Sequence, residues 1–444
     1  MKADTIFALA SAPGRAGVAV MRLSGPAAGT ALAQLAGALP SPRRAARRRF
    51  ADPRTGEAID DGLALFFPAP NSFTGEDVAE LHVHGSRAVI AALLDALAAL
   101  PGLRLAEPGE FTRRAFEHGK LDLTAAEGLA DLVAAETAAQ RRQALRQLEG
   151  ALGQLYEDWR GRLLRALAHL EAAIDFPEEG LPEGIAEEVR ESAAALRGEI
   201  ARHLADGHRG ERLRDGVAVA IIGPPNAGKS SLMNALARRD VAITSATAGT
   251  TRDVIEVALD LGGYPIVLAD TAGLRDSADS IEEEGVRRAR ARASAADLRL
   301  LVLDATEAVP ALAAGLVNRD TIVILNKVDL GVDAVGDGAD RLGGGPPLRL
   351  SVLTGLGTSE LLTRLQSEVA ARFAPGDAPL LTRARHREAL EACVAALDRF
   401  GKQAALELAA EDLRLATQSL GRITGRVDIE DMLDIIFREF CIGK

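Results

Sequence analysis

Along this chain the spacing of apolar positions changes character three times. Over residues 1–118 short alternations dominate: VAVMRLSG, LALFFP and VAELHVHG place apolar side chains two apart, the period of half-buried strands. In the same stretch AVIAALLDALAAL runs at helical spacing, so a small α/β domain is expected. From 119 to 215 the pattern turns to long Ala/Leu/Arg/Glu helices, interrupted by FPEEGLPEG at 176–184. After APGDAP a helical pattern resumes over 376–444. Between these, over 216–375, short β-branched apolar runs (VAVAII, PIVLA, TIVIL) read as strands covered on both faces. GVDAVGDGADRLGGGPP, at 331–347, reads as a loop. If 216–375 enters and leaves on one side, the two helical stretches can pack as one discontinuous domain around an insertion.

Each buried strand runs directly into a short motif of polar and glycine residues. VAVAII leads into GPPNAGKS and then SLMNALARR, a Gly-rich loop between strand and helix. Successive N–H groups of Asn226, Ala227, Gly228, Lys229, Ser230 and Ser231 can turn toward one point at a helix N-terminus. Lys229 can reach the β- and γ-phosphates, and Ser230 can ligate Mg²⁺. PIVLA ends in DTAG (Asp270, Thr271, Ala272, Gly273), where the aspartate can hold the Mg²⁺ shell and the Gly273 N–H can sense a γ-phosphate. TIVIL ends in NKVD (Asn326, Lys327, Val328, Asp329). The Asp329 carboxylate there can accept two hydrogen bonds from the N1–H and N2 edge of guanine, a pair that adenine lacks, so the base is read as guanine and the nucleotide as GTP. SVLTG, with Ser351, Val352 and Leu353, occupies the place of a guanine-supporting loop, with Val352 where alanine is usual. Ser245, Ala246, Thr247, Ala248, Gly249, Thr250 and Thr251 form the intervening switch segment, with Thr251 on Mg²⁺ and γ-phosphate.

Leu274 comes directly after DTAG, where many GTPases carry a water-orienting glutamine, so another group must position the attacking water. Glu282 is a candidate, but by spacing alone Glu282, Glu283 and Glu284 read as first-turn carboxylates of a helix running through VRRARARA.

Composition narrows the partners. A chain of 444 residues, 48% hydrophobic and 26% charged, accommodates two or three soluble domains, and the net charge of −11 disfavours general binding to nucleic acid or anionic membrane. Any RNA contact must then be local. Arg43, Arg44, Arg47, Arg48 and Arg49 form one basic cluster, and Arg287, Arg288, Arg290 and Arg292 another. No run of about 18 apolar residues is present. TIFALASA resembles a signal-peptide core, but Asp4 offsets Lys2 and the apolar stretch is brief, so a cytoplasmic protein is expected. Cys393 and Cys441 make no disulfide framework, and His82 and His84, two apart on one strand face, lack companions at metal-ligand spacing. Only six of 52 basic residues are lysine, and Lys120, Lys229, Lys327 and Lys444 fall within motifs, where a compact ammonium is not interchangeable with guanidinium.

The ends of the chain add a resemblance. EFCIGK at 439–444, together with GPPNAGKS, TAGTTRD, GRAGVAVMRLSG, PNSFTGEDVAEL, PGEFTRRAF and KLDL, resembles the bacterial MnmE (TrmE) family of tRNA-modification GTPases over almost the whole chain. The resemblance implies a multidomain α/β plus all-α fold: an N-terminal folate-binding and dimerising domain, a discontinuous helical domain, and an inserted P-loop GTPase (Ras-like) domain. It further implies a homodimer that works with a flavin-dependent (FAD) partner, MnmG, in a heterotetramer. Together they add an aminomethyl or carboxymethylaminomethyl group at carbon 5 of the tRNA wobble uridine. The one-carbon unit comes from a tetrahydrofolate derivative, in 5,10-methylene or 5-formyl form. Arg22, Glu80, Lys120 and Lys444 match the family's folate positions, which requires the 439–444 segment to dock on the N-terminal domain, and Cys441 would then lie near the one-carbon donor. Asn226, Ser245, Thr247 and Thr250 match the positions that hold K⁺, with Ser245 and Thr247 departing in side chain, and Glu282 matches the water-positioning glutamate. A ribosome-associated assembly GTPase, switching RNA or protein binding without covalent chemistry, is the alternative that the GTPase motifs alone leave open.

Overall fold

The computed structural model describes residues 4–175, 185–239, 241–243, 256–270, 296–310, 313, 315–331, 335, 338, 342, 345–373, 378–427, 433, 436, 437, 440 and 443. Two compact units emerge, each discontinuous in sequence: Met1–Ala130, Gln147–Val189 and Lys402–Lys444 form the first, and Asp131–Arg146 and Arg190–Gly401 the second.

The first unit opens with β1 (Thr5–Leu9), β2 (Ala16–Ser24), α1 (Ala28–Ala36), β3 (Ala46–Ala51), β4 (Ala58–Phe67), β5 (Val78–Gly85), α2 (Arg87–Ala98), β6 (Leu103–Leu105) and α3 (Glu110–Glu117). The strands form one sheet in the order β3-β4-β5-β2-β1-β6, antiparallel except for β1 with β6. Period-two alternation sends Met21, Leu23, Leu81 and Val83 into a core with Leu32 and Leu35 of α1 and Leu93 and Leu97 of α2. The intervening residues Val20, Arg22, Glu80, His82 and His84 fall on the opposite face. TIFALASA supplies β1, whose Ile6 and Phe7 are fully buried, so its hydrophobicity serves a sheet.

A partly buried ion network ties α3 to the sheet. Arg114 bonds the Asp4, Glu76 and Glu110 carboxylates at 2.8, 3.0 and 3.1 Å, and Arg104 adds bonds to Asp4 and Glu110. The Arg104 hydrogen bond holds the Asp4 carboxyl below its ordinary value; at Glu110 burial pushes the other way and the two arginines outweigh it.

The remaining helices in chain order are α4 (Leu123–Ala134), α5 (Ala138–Leu148), α6 (Ala151–Asp175), α7 (Ile185–Leu204), α8 (Arg209–Asp215), α9 (Lys229–Ala237), α10 (Thr358–Phe373), α11 (Ala384–Phe400) and α12 (Leu406–Thr424). In the first unit α6 packs along α12, where Tyr156 and Trp159 are buried and Thr424 donates to Glu157 at 2.7 Å. Leu433, Phe437, Phe440 and Gly443 also belong here. Phe437 packs against Phe116 and Phe440 (centroids 6.5 and 5.6 Å apart), and with Leu433 they close a small core on Leu123 and Ala126. Gly443, at φ 99°, sits so close to β1 that a Cβ would lie 2.3 Å from the Leu9 carbonyl oxygen. Only glycine fits there. The docking that the resemblance required is thus present at Gly443, while Cys441 and Lys444 lie outside the described residues.

The second unit is built on β7 (Val217–Ile222), β8 (Glu256–Leu261), β9 (Tyr264–Asp270), β10 (Leu298–Asp304), β11 (Thr321–Asn326) and β12 (Leu348–Arg349), in the order β12-β11-β10-β7-β9-β8. All neighbours are parallel except β8 with β9. Val217, Val219 and Ile221 face one core with Leu232, Leu361 and Leu365, while Ala220 and Ile222 face another with Leu301, Leu303 and Leu325. Both faces are covered, which is why these strands read as continuous apolar runs. Helix α8 leads directly into β7, and Arg212 bonds Asp297 at 2.9 Å while the other Asp297 oxygen accepts from the Ala218 N–H. Burial nevertheless pushes the Asp297 carboxyl up.

Candidate functional site

The connections from β7 to its two neighbours diverge, to β9 on one side and β10 on the other, making the C-terminal end of β7 the switch point of the sheet. Open parallel sheets bind ligands in the crevice at that position. Residues 223–228 occupy it, between β7 and α9.

The loop is held in shape by residues that the sequence marks individually but does not connect. Gly223, at φ 145°, abuts the β10 backbone, where a Cβ would lie 2.1 Å from the Val302 oxygen, and Gly228, at φ 98°, leaves room for Asn326. Asn226 adopts φ 60° with its side chain exposed at the crest of the loop, a left-handed conformation that costs a non-glycine residue roughly 1 kcal/mol or more. Ala227 is buried, and Lys229 is 9% exposed, its Nζ donating to the Pro224 carbonyl at 2.7 Å. Ser230 and Ser231 are exposed on the first turn of α9. The cradle, the buried ammonium and the helix N-terminus together fit a polyphosphate.

Asn326, at the end of β11, joins this loop to the next. Its Nδ2 donates to the Ala227 carbonyl at 2.9 Å and its Oδ1 accepts from the Val352 N–H at 3.1 Å. One buried amide thereby registers the phosphate loop against the Ser351–Val352–Leu353 loop. Ser351 is fully buried, and its Oγ accepts from the Thr354 N–H at 3.2 Å; Leu353 is 87% exposed. Lys327 is also left-handed, φ 68°, and its ammonium pairs with Asp304 at 2.5 Å. Burial alone would raise the Asp304 carboxyl, but Lys327 and the Thr306 hydroxyl and N–H outweigh it and hold it low. Asp329 is exposed in the short 3-10 turn Val328–Leu330. Asp270 ends β9 in register with Ile221 of β7, on the same edge of the sheet.

Asp304 went unmarked in the sequence. Its signal is its position: an aspartate ending LRLLVLD, as Asp270 ends PIVLAD. Ser245, Ala246, Thr247, Ala248, Gly249, Thr250, Thr251, Thr271, Ala272, Gly273 and Glu282 lie outside the described residues.

In the first unit, Arg22 of β2 and Glu80 of β5 are cross-strand partners, with Arg22 Nε and Nη2 donating to Glu80 Oε1 at 3.1 and 3.0 Å. His82 Nε2 meets the other Glu80 oxygen at 3.2 Å. The Arg22 guanidinium lies over Phe73 and Phe111, 5.6 and 5.9 Å from their centroids. Lys120 is exposed, and its stem passes 3.4 Å from the Cβ position of Gly75. Phe73 and Phe111 sit inside PNSFTGED and PGEFTRRAF, motifs noticed for their pattern rather than for their rings. His84 bonds Asp60, so both histidines of LHVH are engaged with carboxylates. Of the about four acceptor positions of a carboxylate, Glu80 uses three on Arg22 and His82 and keeps one on Oε2, beside the Phe73 and Phe111 rings, which fits an amino group of a pteridine.

A parallel sheet with a phosphate loop at its switch point, tied through an NKVD asparagine to a third loop, defines the second unit as a P-loop GTPase domain. Residues 5–120 match the family model described as the GTP-binding protein TrmE N-terminus, and 123–441 the model of the MnmE helical domain. The chain is 60% identical over 450 residues to tRNA modification GTPase MnmE of Parvibaculum lavamentivorans, covering 99% of this chain and 100% of that protein. It is 60% identical to the same protein of Paramagnetospirillum magneticum, covering 99% of this chain and 100% of that one. It is also 51% identical over 469 residues to the mitochondrial 5-taurinomethyluridine-[tRNA] synthase subunit GTPB3 of Danio rerio, covering 99% of this chain and 93% of that protein. The chain belongs to the MnmE family of tRNA modification GTPases.

Proposed function

We propose that this chain is a GTPase whose nucleotide cycle serves modification of the tRNA wobble uridine at carbon 5. The observation that supports the reading is the Asn326 bridge, which ties the 223–228 loop and the Ser351–Leu353 loop to the end of β11, three residues before Asp329. In use, Lys229 exchanges its hold on the Pro224 carbonyl for the β- and γ-phosphates, and the N–H groups of 226–231 take the remaining oxygens. Asp329 accepts from the guanine edge while the Lys327–Asp304 pair fixes the turn that carries it. Ser230, Thr251 and Asp270 would hold Mg²⁺, and Asn226, Ser245, Thr247 and Thr250 would hold K⁺. The K⁺ would supply the charge that an arginine finger supplies elsewhere. Glu282 orients the attacking water.

The Arg22–Glu80–His82 cluster, with Lys120 and Lys444, would bind a tetrahydrofolate derivative that supplies the one-carbon unit, near Cys441. That site falls in region 1–118, the helical regions are 119–215 and 376–444, and the nucleotide region is 216–375. The working assembly is a homodimer joined to an FAD-dependent MnmG-like partner in the cytoplasm. No helix among the described residues is long and apolar enough to cross a membrane. Mass analysis of wobble uridines in cells lacking this chain tests the reading. Loss of the 5-substituent is expected, and intact modification with defective ribosome assembly would favour the switch alternative.

A further inference from the structure

Many arginines on the described surface are matched to carboxylates, as Arg54 is to Asp52, Arg104 to Asp4 and Glu110, Arg197 to Asp398, and Arg387 to Asp206 and Glu211, while others, such as Arg15, Arg87 and Arg165, stand unmatched at scattered positions. One strand gathers unmatched arginines in a dense run. β3 and the turn before it carry Arg43, Arg44, Arg47, Arg48 and Arg49, and among the described residues none of the five pairs with a carboxylate. Arg43 donates to the Asn71 carbonyl and lies over the Phe67 ring, and Arg48 donates only to the Arg47 carbonyl, leaving its buried Nε without a partner. Arg44, Arg47 and Arg49 are exposed. Asp61, the cross-strand neighbour of Arg49, makes no ion pair with it, and Asp60 is engaged by His84.

β3 is the outermost strand of its sheet, so these charges lie along a free edge. Arg47 and Arg49 point to one face and Arg48 to the other, and with Arg43 and Arg44 in the turn before the strand the five positions span at most roughly 20 Å. That is too long and too two-sided for one phosphate. It suits a run of them. In a chain of net charge −11, a polyanion is attracted only where positive charge is locally dense and unneutralised.

We propose that the β3 edge, Arg43 through Arg49, is a docking strip for the sugar–phosphate backbone of the tRNA on which this chain acts. The proposal rests on the tRNA-modification reading. A competing use for edge charge is to repel a second sheet edge; that use predicts self-association, and not weakened RNA binding, when the charge is removed.

The test is the full chain with Arg44→Gln, Arg47→Gln and Arg49→Gln together, titrated with an unmodified transcript of a tRNA bearing a wobble uridine, by fluorescence anisotropy across KCl concentrations. Each lost phosphate contact should reduce the slope of log affinity against log salt by roughly 0.7–0.9, so the triple variant should be shallower by about 2 and weaker by roughly tenfold or more. GTP turnover should be unchanged, and Arg→Lys at the same three positions should restore most of the slope. Equal affinity and slope in wild type and variant overturn the proposal. So does lost modification in cells with unaltered tRNA affinity, which would assign the strip to an acidic protein surface, or self-association with unaltered tRNA affinity, which would make it an edge guard. A wild-type chain that fails to bind the transcript counts instead against the tRNA reading itself.

Discussion

At the scale of single residues, the nucleotide site separates recognition from chemistry. Asp329 is exposed and touches only the base edge in the proposed pose, so Asp329→Asn should leave phosphate binding intact while inverting base preference. Xanthosine triphosphate should then compete better than GTP in a displacement assay; unchanged preference for GTP would place the guanine site elsewhere. Glu282→Ala should lower single-turnover hydrolysis by roughly 10²-fold with little change in nucleotide affinity, as expected of a group acting on the attacking water. A near-normal rate would return Glu282 to the plain role of a first-turn helix carboxylate. Cys393 is of a different kind. Burial pushes its thiol up to about 12, so it stays protonated at neutral pH and belongs to the core of α11.

At the scale of elements, α3 shows how a short helix is tied down by charge. Arg114 and Glu110, one turn apart, share a partly buried network with Asp4, Glu76 and Arg104. Asp4 and Glu110 have folded values below their ordinary 3.8 and 4.5. The stabilisation they contribute is therefore fully present above about pH 5 and is lost as pH falls through the folded values. Arg114→Met should cost about 3–5 kcal/mol at pH 7, because it leaves the partly buried Glu76 carboxylate without a cation and removes one of the two arginines from Asp4 and Glu110. The difference from wild type should shrink as pH is lowered toward about 3, as Asp4 and Glu110 titrate through their lowered folded values and the arginine loses its anionic partners. Urea midpoints at the two pH values check this, and an equal loss at both would assign Arg114 a packing role alone.

The same scale explains what the sequence discloses and what it hides. VAVAII–GPPNAGKS–SLMNALARR announces a strand, a loop and a helix because period, glycines and motif agree over contiguous residues; β9 ending at Asp270 and β11 ending at Asn326 are legible for the same reason. LALFFP and VAELHVHG become β4 and β5 as their alternation requires. The Asn326 bridge spans 99 residues to Ala227, and Arg22 reaches Glu80 across 58. Such pairs depend on sheet register, which no local pattern encodes. The helices behave likewise: periodicity reveals α6, α7, α11 and α12, but not that α6 and α12 belong to one compact unit and α7 and α11 to the other.

At the scale of the whole molecule, the two proposed activities should respond to different perturbations. Turnover of GTP should fall sharply when K⁺ is replaced by Na⁺, because a smaller ion cannot hold the oxygens of Asn226, Thr247 and the phosphates together; equal rates in the two salts would remove the K⁺ assignment. Deleting Cys441 to Lys444 should leave GTP hydrolysis nearly normal and abolish uridine modification, measured by nucleoside mass analysis. Full modification by the deletion variant would detach that segment from the chemistry, although Gly443 rests on β1. Lys444→Arg is the milder probe: charge is retained, so weakened folate binding would report a fitted ammonium.

The interleaving of the two units also sets an order of assembly during synthesis. Residues 402–444, which complete the small core around Phe116 and seat Gly443 on β1, leave the ribosome at least 272 residues after Ala130. At roughly 5–20 residues per second, Phe116, Leu123 and Ala126 wait about 14–54 s for the aromatic residues that cover them. During that interval the second unit, whose final stretch ends at Gly401, can emerge and fold first. Chains held on the ribosome through an added C-terminal tether long enough to free residue 443, and chains stalled before residue 402, should therefore differ in protease resistance around Phe116 and Leu123, and chaperone demand should concentrate on the early half of the chain.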